Sequence, residues 1–198
     1  MAYLILVRHG VTDWNAQGRW QGHTDIPLNE QGRREVRIAA EAIKNLKIDT
    51  AYTSDLSRTK QTYQEICDSL NLTCPVIAHT ALSERDYGIY TGRNKWEVKK
   101  ELGDEKFLNL RRKWNQPILE GESLKDVYDR VVPYYKKTIL NDLKQGKNVL
   151  VVSSGNTLRA LIKYLENISD EDIAKLELKF GEVIIFEVDQ KGQIIKKI

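Results

Sequence analysis

The stretch at residues 4–15, LILVRHGVTDWN, decides the fold because an apolar strand ends there beside chemically active side chains. Residues 4–7 form a continuous apolar run, which is typical of a strand covered on both faces of a sheet. The run ends at Arg8, His9 and Gly10, so a cation and an imidazole lie at the carboxyl end of the strand. Ligands of open α/β sheets bind at this edge. We expect Gly10 to allow a sharp turn or a close approach to a ligand.

Two interpretations of this tripeptide are open. In the first, His9 is a solvated side chain in a polar turn. In the second, a neutral His9 nitrogen attacks phosphorus while the Arg8 guanidinium binds the phosphoryl oxygens as a fork. The tripeptide does not separate the two, because a phosphate site also needs further cations and an acid elsewhere in the chain.

Length and composition restrict the class of protein. A chain of 198 residues, with 41% hydrophobic and 30% charged residues, predicts one ordinary globular domain over residues 1–198. The net charge of +3 gives no argument for binding nucleic acid or a membrane surface. No apolar run approaches the roughly 20 residues of a membrane span, and no signal peptide is evident. Cys67 and Cys74 match neither a disulfide framework nor a metal site, so we expect reduced thiols in a cytoplasmic protein.

Apolar runs alternate with helical patterns along the chain. We predict strands at residues 4–7, 50–53, 75–78, 148–152 and 183–188. Predicted helices cover residues 29–46, 54–70, 94–102, 105–114, 123–143 and 155–165, with a shorter one from Ser169. Ser54 or Asp55 is the expected cap of the second helix, and Pro133 is expected to kink the fifth. This alternation predicts an α/β fold, a single three-layer α/β/α domain with a mostly parallel central sheet.

Four further features fall at predicted strand ends or in the loops beside them. They are Arg58 in a first helical turn, Glu84 in a loop with Arg85 and Tyr87, the Ser153–Asn156 strand-to-helix junction, and the cations Lys95, Arg111 and Arg112. The backbone N–H groups of such a junction favour an anion, and a glutamate beside a phosphate can protonate a leaving oxygen. Each feature alone also fits a solvated side chain. Together they indicate a site for a phosphorylated ligand with a second anion.

The order of the motifs carries a family resemblance. RHGxTxWN, TSDLxR, ERxYGxxxGxNK, RRKW, GESLKD and SGNTLRAL follow one another between residues 8 and 161. In this order they resemble the histidine phosphatase superfamily, and within it the cofactor-dependent phosphoglycerate mutases. The resemblance extends over residues 4–188, which is nearly the whole chain.

The resemblance implies a role for each matching residue. His9 would be the phosphorylated nucleophile and Glu84 the group that moves a proton to and from the substrate hydroxyl. Arg8, Arg58, Gly155 and Asn156 would surround the phosphoryl group, with Asn15 in support. The groups implied for the carboxylate and second phosphate of a phosphoglycerate are Gln21, Gly22, Tyr87, Lys95, Arg111 and Arg112. The implied primer is 2,3-bisphosphoglycerate, no metal is expected, and the protein would be a monomer or a homodimer. His23 and His79 match nothing in the pattern and are expected in loops or at the surface.

One departure from the family bears on catalysis. The family has a second histidine where this chain has Ser154, and a hydroxyl cannot carry the charge of an imidazolium. Loss of one transition-state donor typically costs on the order of 10²–10³ in turnover. Three explanations are open: a deliberate substitution in an ordinary mutase, a natural variant that has lost activity, or slow turnover with Ser154. The intact cations at positions 95, 111 and 112 favour the first and the third.

Smaller departures keep two alternatives to a mutase open. The loop at residues 18–32, GRWQGHTDIPLNEQG, is closer to the broad phosphatase branch of the superfamily. Residues 115–120 form a short segment, and only about ten residues follow the last predicted strand. The resemblance implies that a C-terminal tail helps to cover the site and to keep water from the phosphohistidine. A short tail would admit water and favour hydrolysis over transfer. We therefore expect a phosphoglycerate mutase acting through phospho-His9, with a broad phosphomonoesterase and a catalytically weak phospholigand-binding protein as the alternatives.

Overall fold

A six-stranded sheet organises the computed structural model, which describes residues 1–198. Its strands are β1 (Ala2–Arg8), β2 (Thr50–Thr53), β3 (Val76–Ala78), β4 (Val149–Ser153), β5 (Val183–Val188) and β6 (Ile194–Lys197). The order across the sheet is β3-β2-β4-β1-β5-β6. The first four strands in this order run parallel to one another, whereas β5 and β6 are antiparallel to their neighbours. The sheet is mixed and mostly parallel, which confirms the predicted fold class.

Helices cover both faces of this sheet. They are α1 (Asp13–Ala16), α2 (Glu30–Glu41), α3 (Ser57–Leu70), α4 (Lys95–Leu102), α5 (Asp104–Arg112), α6 (Leu124–Tyr134), α7 (Leu140–Lys144) and α8 (Gly155–Leu165). Alternate residues of β1 face opposite sides, as the period of a strand requires. Ile5 and Val7 pack in a cluster with α2 and α3, and Leu4 and Leu6 pack in a cluster with α6 and α8. Both sides of β1 are therefore buried, which accounts for its continuous apolar run.

A smaller apolar cluster supports α4 and α5 away from the sheet. Its six buried residues are Trp20, Tyr87, Val98, Phe107, Leu110 and Ile118. We refer to this cluster as the satellite core. It is much smaller than the two clusters on the sheet, so α4 and α5 have fewer buried apolar contacts to hold them.

The cap of α3 differs from the prediction. Neither Ser54 nor Asp55 is its N-cap; that position is Leu56, which has no capping side chain. Asp25, from a loop distant in sequence, accepts hydrogen bonds from Ser57 N and Ser57 Oγ, both 2.7 Å long. A carboxylate at this end of a helix satisfies free N–H groups and is favoured by the helix dipole. The cap is supplied by tertiary contact.

The helix that contains Pro133 is interrupted as predicted. The Ser123–Asp126 capping box is present at its start, and α6 ends at Tyr134, one residue after Pro133. A π-turn at Tyr135–Ile139 follows, and α7 continues the same path. Proline lacks the N–H that a helix interior requires, so the irregular turn takes up the disturbance.

Other boundaries differ by small amounts, with one exception. Helix α2 ends at Glu41 instead of residue 46, and the short helix expected from Ser169 is a 3₁₀ turn at Asp172–Lys175. The exception is β6, which the sequence analysis missed and which lies inside the predicted tail. Three of its four residues are exposed, so the apolar alternation that marks a buried strand is absent. None of the helices combines the length and the apolar character needed to cross a bilayer.

Candidate active site

His9 lies where β1 and β4 end side by side. Arg8 pairs with Ser153 in the parallel register, and His9 N donates a 3.0 Å hydrogen bond to Ser153 O. The imidazole is almost completely buried, and its Nδ1 lies 2.7 Å from Gly10 O. Because a carbonyl oxygen only accepts, Nδ1 carries the proton, which leaves the Nε2 lone pair for another partner.

The surroundings of His9 keep its ring neutral. Burial, followed by the charges of Arg58 and Arg8, holds the pKa of His9 well below its ordinary value of 6.5. The hydrogen bond to Gly10 O acts in the opposite direction but is the weaker effect. A neutral imidazole with a free nitrogen is the form that attacks an electrophile.

Gly10 has a different role from the one predicted. A Cβ at this position would lie 2.4 Å from Gly32 O, and a Cβ at Gly32 would lie 2.1 Å from Val11 O. The two glycines therefore let the start of α2 press against the loop that follows His9. The close approach is between two backbone segments, and Gly10 does not have the positive φ of a left-handed turn.

Arg8 is held at one edge of the site. Its Nη1 donates to Leu178 O at 2.5 Å, and its guanidinium lies 3.7 Å from the centroid of the Phe180 ring. Its Nε is buried and has no hydrogen-bond partner. A Cβ on Gly155 would come within 3.2 Å of this nitrogen, so the glycine leaves room beside it.

Arg58 is fully buried in the first turn of α3. Its two terminal nitrogens donate to Thr24 O and Gly22 O at 2.9 and 2.8 Å, while its Nε has no partner. The side chain therefore stands behind the wall of the cavity, where its charge acts on His9. Gly22, which was predicted to touch the substrate, does not line the cavity and instead holds Arg58 through its carbonyl.

Ser154 is the N-cap residue of α8 but does not use its side chain as a cap. Its Oγ is buried and has no hydrogen-bond partner. Gly155 and Asn156, the next two residues, line the cavity, whereas Ser154 does not. The hydroxyl of Ser154, the Nε of Arg8 and the Nε of Arg58 are thus three buried, unpartnered donors on residues around the end of β1. Of these three residues only Arg8 lines the cavity, so its Nε is the donor placed for a phosphoryl oxygen.

Glu84 is fixed by donors from two segments. Its Oε1 accepts from Arg85 N at 2.7 Å, from Asn156 N at 3.3 Å and from Asn156 Nδ2 at 3.2 Å. Arg159 Nη1 donates to Asn156 Oδ1 at 2.9 Å, which orients the amide so that its nitrogen faces Glu84. The carboxylate lines the same cavity as His9.

The loop that carries Glu84 is attached on several sides. Ser153 Oγ donates to Leu82 O at 2.7 Å, and Arg130 donates to Glu84 O at 3.0 Å. The ring of His23, expected only as a loop residue, lies with Nε2 2.8 Å from the same carbonyl. Glu84 is therefore positioned by the sheet, by α6 and by the loop after α1.

A second group of cations, from a different part of the chain, also lines the cavity. Lys95 is the first residue of α4, and Arg111 and Arg112 end α5. Burial, with the charges of Arg111 and Arg8, lowers the pKa of Lys95 to about 8. Tyr87 stacks on Trp20 of the satellite core, with ring centroids 5.4 Å apart, and its hydroxyl accepts from Asn156 Nδ2 at 2.8 Å.

Asn15 and Gln21 also line the cavity. Their side-chain oxygens, Asn15 Oδ1 and Gln21 Oε1, accept from the Thr12 hydroxyl at 3.1 and 2.9 Å. Their amide NH₂ groups are the donors that remain for a ligand.

The cavity brings together eleven of the fourteen residues predicted for the site; Gly22, Arg58 and Ser154 are the ones outside its lining. Five lining residues were missed by the sequence analysis. They are Arg19, Trp20, Arg159, Glu177 and Leu178. Arg159 could have been found, because it lies one helical turn after Asn156 in the SGNTLRAL motif. Glu177 and Leu178 carry no such signal, since they belong to an irregular segment.

Charge on the cavity wall is mainly positive. Six cationic side chains face two carboxylates, Glu84 and Glu177. Burial, followed by the charge of Arg112, lowers the pKa of Arg159 to about 10, which still leaves it charged at neutral pH. Such a cavity favours a ligand with several negative charges. No group of three or more His, Cys, Asp or Glu side chains is arranged to hold a metal ion.

Comparison with known proteins assigns this arrangement to a family. The family model for the histidine phosphatase superfamily (branch 1) matches residues 4–198. The chain belongs to the histidine phosphatase superfamily. The resemblance read from the motifs is thereby confirmed.

Individual members of the superfamily align along almost the full chain. A relative from Bradyrhizobium diazoefficiens is 41% identical over 198 residues, covering 98% of this chain and 96% of its own. A relative from Parvibaculum lavamentivorans is 40% identical over 197 residues, covering 98% of this chain and 94% of its own. Both carry the name 2,3-bisphosphoglycerate-dependent phosphoglycerate mutase. Among solved structures, Bacillus stearothermophilus YhfR is 26% identical with a TM-score of 0.84, over 98% of this chain and 94% of its own.

Proposed function

We propose that this chain is a 2,3-bisphosphoglycerate-dependent phosphoglycerate mutase that interconverts 3-phosphoglycerate and 2-phosphoglycerate through a phosphohistidine at His9. The observation that carries the proposal is a neutral, buried His9 in one cavity with a separate set of cations. A simple phosphatase needs only the first of these features. The names of the relatives from two organisms support the same activity.

Transfer at His9 uses groups that are already in place. The Nε2 lone pair attacks phosphorus, a P–N bond forms, and the bond from phosphorus to the substrate oxygen breaks. Glu84, in its protonated form, gives a proton to the leaving oxygen, and the carboxylate takes a proton from the attacking hydroxyl in the return step. Arg8 and the backbone N–H of Gly155 would stabilise the charge on the transferring oxygens, with the charge of Arg58 behind them, since the N–H of Asn156 is already bonded to Glu84.

The primer fits the same residues. 2,3-Bisphosphoglycerate would supply the phosphoryl group that first loads His9. Arg8, which lines the cavity and has an unpartnered Nε, would bind that phosphoryl group, and the charge of Arg58 would support it from behind the wall. Lys95, Arg111 and Arg112 would hold the remaining phosphate and the carboxylate, supported by Tyr87, Asn15 and Gln21. Positioning and electrostatic stabilisation then account for catalysis of phosphoryl transfer.

Ser154 favours a second candidate function. The hydroxyl lacks the charge that the family's second histidine would supply, and it is the only substitution at a reacting position that the motifs show. A protein with the remaining groups intact would bind phosphorylated ligands but turn them over slowly. A phospholigand-binding role is therefore the alternative, and a phosphomonoesterase is the other outcome to be tested.

One experiment separates the three functions. The wild-type chain, Ser154→His and His9→Asn are each incubated with 2,3-bisphosphoglycerate and 3-phosphoglycerate, and acid-labile phosphohistidine, 2-phosphoglycerate and free phosphate are measured. A mutase gives phosphohistidine and 2-phosphoglycerate in the first two proteins and neither in His9→Asn. Free phosphate as the main product would identify a phosphatase. Thermal stabilisation by bisphosphoglycerate without any product, also in Ser154→His, would identify a binding protein.

The wider setting follows from this activity. We infer that residues 1–198 act as one domain, because the residues that line the cavity come from segments spread between Arg8 and Leu178. Phosphoglycerates are intermediates of glycolysis, so the proposed location is the cytoplasm. The proposed assembly is a monomer or a homodimer, and the proposed partner is a small phosphorylated substrate.

A further inference from the structure

A short segment at residues 176–178 crosses the edge of the cavity and holds two of its arginines. We call this segment the strap. Leu176 O accepts from Arg112 Nη1 at 3.3 Å, and Leu178 O accepts from Arg8 Nη1 at 2.5 Å. Between these two residues, Glu177 pairs with Arg112 Nη2 through its carboxylate. Arg112 therefore has both terminal nitrogens engaged by the strap.

Glu177 is a negative charge built into the cation-rich end of the cavity. Its side chain is 71% exposed, whereas that of Arg112 is 18% exposed, so the carboxylate sits at the solvent-facing rim. The hydrogen bond and charge of Arg112 lower the pKa of Glu177, and Arg111 and Arg8 contribute in the same direction. The carboxylate is thus ionised at neutral pH and close enough to act on three arginines of the wall.

This placement makes Glu177 a competitor for the second anion of a substrate. The guanidinium of Arg112 has a limited number of N–H donors, and two are used by the strap. A phosphate or carboxylate that approaches Arg112 has to share this group with Glu177 or displace it. The two negative charges also repel each other. A ligand that fills only the His9 end does not compete for the Arg112 donors, and the Glu177 carboxylate repels it less.

We propose that Glu177 is a specificity-determining residue that lowers the affinity for ligands with a second anion relative to ligands with a single phosphoryl group. The inference rests on the proposed function in one respect, the placement of the second anion near Arg112. The strap contacts through Leu176 O and Leu178 O belong to the main chain. Replacement of the Glu177 side chain therefore changes the charge while the strap keeps its attachment.

The test is the variant Glu177→Gln, which keeps the length and polarity of the side chain. Dissociation constants are measured by calorimetry for 3-phosphoglycerate and for inorganic phosphate, at low and high ionic strength. We expect 3-phosphoglycerate to bind about 3- to 10-fold more tightly, because the removed charge is partly exposed and screened. Binding of inorganic phosphate should change by less than about 2-fold, and the gain for 3-phosphoglycerate should shrink at high salt.

The matched control is Glu171→Gln, which makes the same change of net charge at an exposed residue that does not line the cavity. It should leave both constants unchanged. In an Arg112→Ala background, Glu177→Gln should lose most of its effect, a coupling that a general structural role would not produce. Unchanged 3-phosphoglycerate affinity in Glu177→Gln, or an equal gain for both ligands, would overturn the proposal.

Failure of the proposed function has a different signature. If Ser154→His forms neither phosphohistidine nor product while Glu177→Gln still tightens 3-phosphoglycerate selectively, the mutase assignment fails and the role of Glu177 stands. If Ser154→His is an active mutase and Glu177→Gln changes nothing, only the role of Glu177 fails.

Discussion

The two ends of the cavity are built in different ways. At the end that we propose reacts, His9 is buried at a strand end, Arg58 is buried in a first helical turn, and Glu84 is buried in a loop bonded to the start of α8. At the second-anion end, Lys95, Arg111 and Arg112 are partly exposed and lie on α4 and α5, above the satellite core. The first end is held by several hydrogen bonds to main-chain groups, whereas at the second end only the Arg112 side chain is bonded, to Leu176 O and to the Glu177 carboxylate.

This difference separates chemistry from selectivity. Groups that stabilise a transition state have to be oriented before the reaction, which strand register and buried carbonyl partners achieve. Groups that recognise a remote anion tolerate more freedom and can be weakened or strengthened by one neighbouring charge, as Glu177 illustrates. Substitutions at the two ends should therefore affect different measurements.

The largest effect is expected at the reacting end, from Ser154→His. Restoring a charged donor beside the transferring phosphoryl group should raise turnover by roughly 10²–10³-fold. Initial rates of 2-phosphoglycerate formation measure this. Ser154→Ala is the control, and it should reduce activity further if the unpartnered hydroxyl donates to the phosphoryl group. Equal rates for all three proteins would mean that position 154 does not contact the reacting group.

The matching substitution at the other end is Arg112→Ala. Loss of a charge-assisted contact should weaken 3-phosphoglycerate binding by about 10- to 100-fold. Inorganic phosphate, which fills only the reacting end, should lose much less. Competition assays with both ligands measure the ratio. Equal losses would show that the two ends do not act separately and would remove the basis of the comparison.

The protonation state of Lys95 should make the affinity for 3-phosphoglycerate depend on pH, while the affinity for inorganic phosphate should not. With a pKa of about 8, Lys95 is charged below that pH and loses its charge as the pH rises through it. The affinity for 3-phosphoglycerate should fall by about tenfold between pH 7 and 9.5, because a charged donor becomes neutral. Affinity for inorganic phosphate should change little in that range. Lys95→Arg is the control, and a flat profile for 3-phosphoglycerate in the wild-type protein would contradict the assignment.

The smallest effect concerns stability at the reacting end. Asp25→Ala removes the cap of α3, the helix that carries Arg58, and should cost about 1 kcal/mol. For a chain of this size such a loss lowers Tm by roughly 2–4 °C. Asp55→Ala, at the exposed one of the two residues that the sequence offered as the cap, should have no such effect. The Tm of the two variants is measured by thermal unfolding. A lower Tm for Asp55→Ala and an unchanged Tm for Asp25→Ala would show that Asp55 is the true cap.

Local patterns in the sequence predicted the layers of the fold and most of the residues that line the cavity. Continuous apolar runs predicted β1 and β4 because strands buried on both faces have no polar positions. Local motifs pointed to His9 at a strand end, Arg58 in a first helical turn and Glu84 in a loop. The break after Pro133 was also readable, since it depends on a single residue that lacks the N–H a helix interior requires. These features are local, and local patterns are what a single sequence displays.

The remaining features depend on contacts between segments that are distant in the chain. Asp25 caps a helix that begins 32 residues later, and Gly10 is required by the backbone of Gly32. Glu177 reaches Arg112 across 65 residues. In each case the partner is distant in the chain and either residue alone resembles an ordinary surface or turn residue. Contacts between separate segments depend on how the layers pack. They leave no local pattern in the sequence from which they could be predicted.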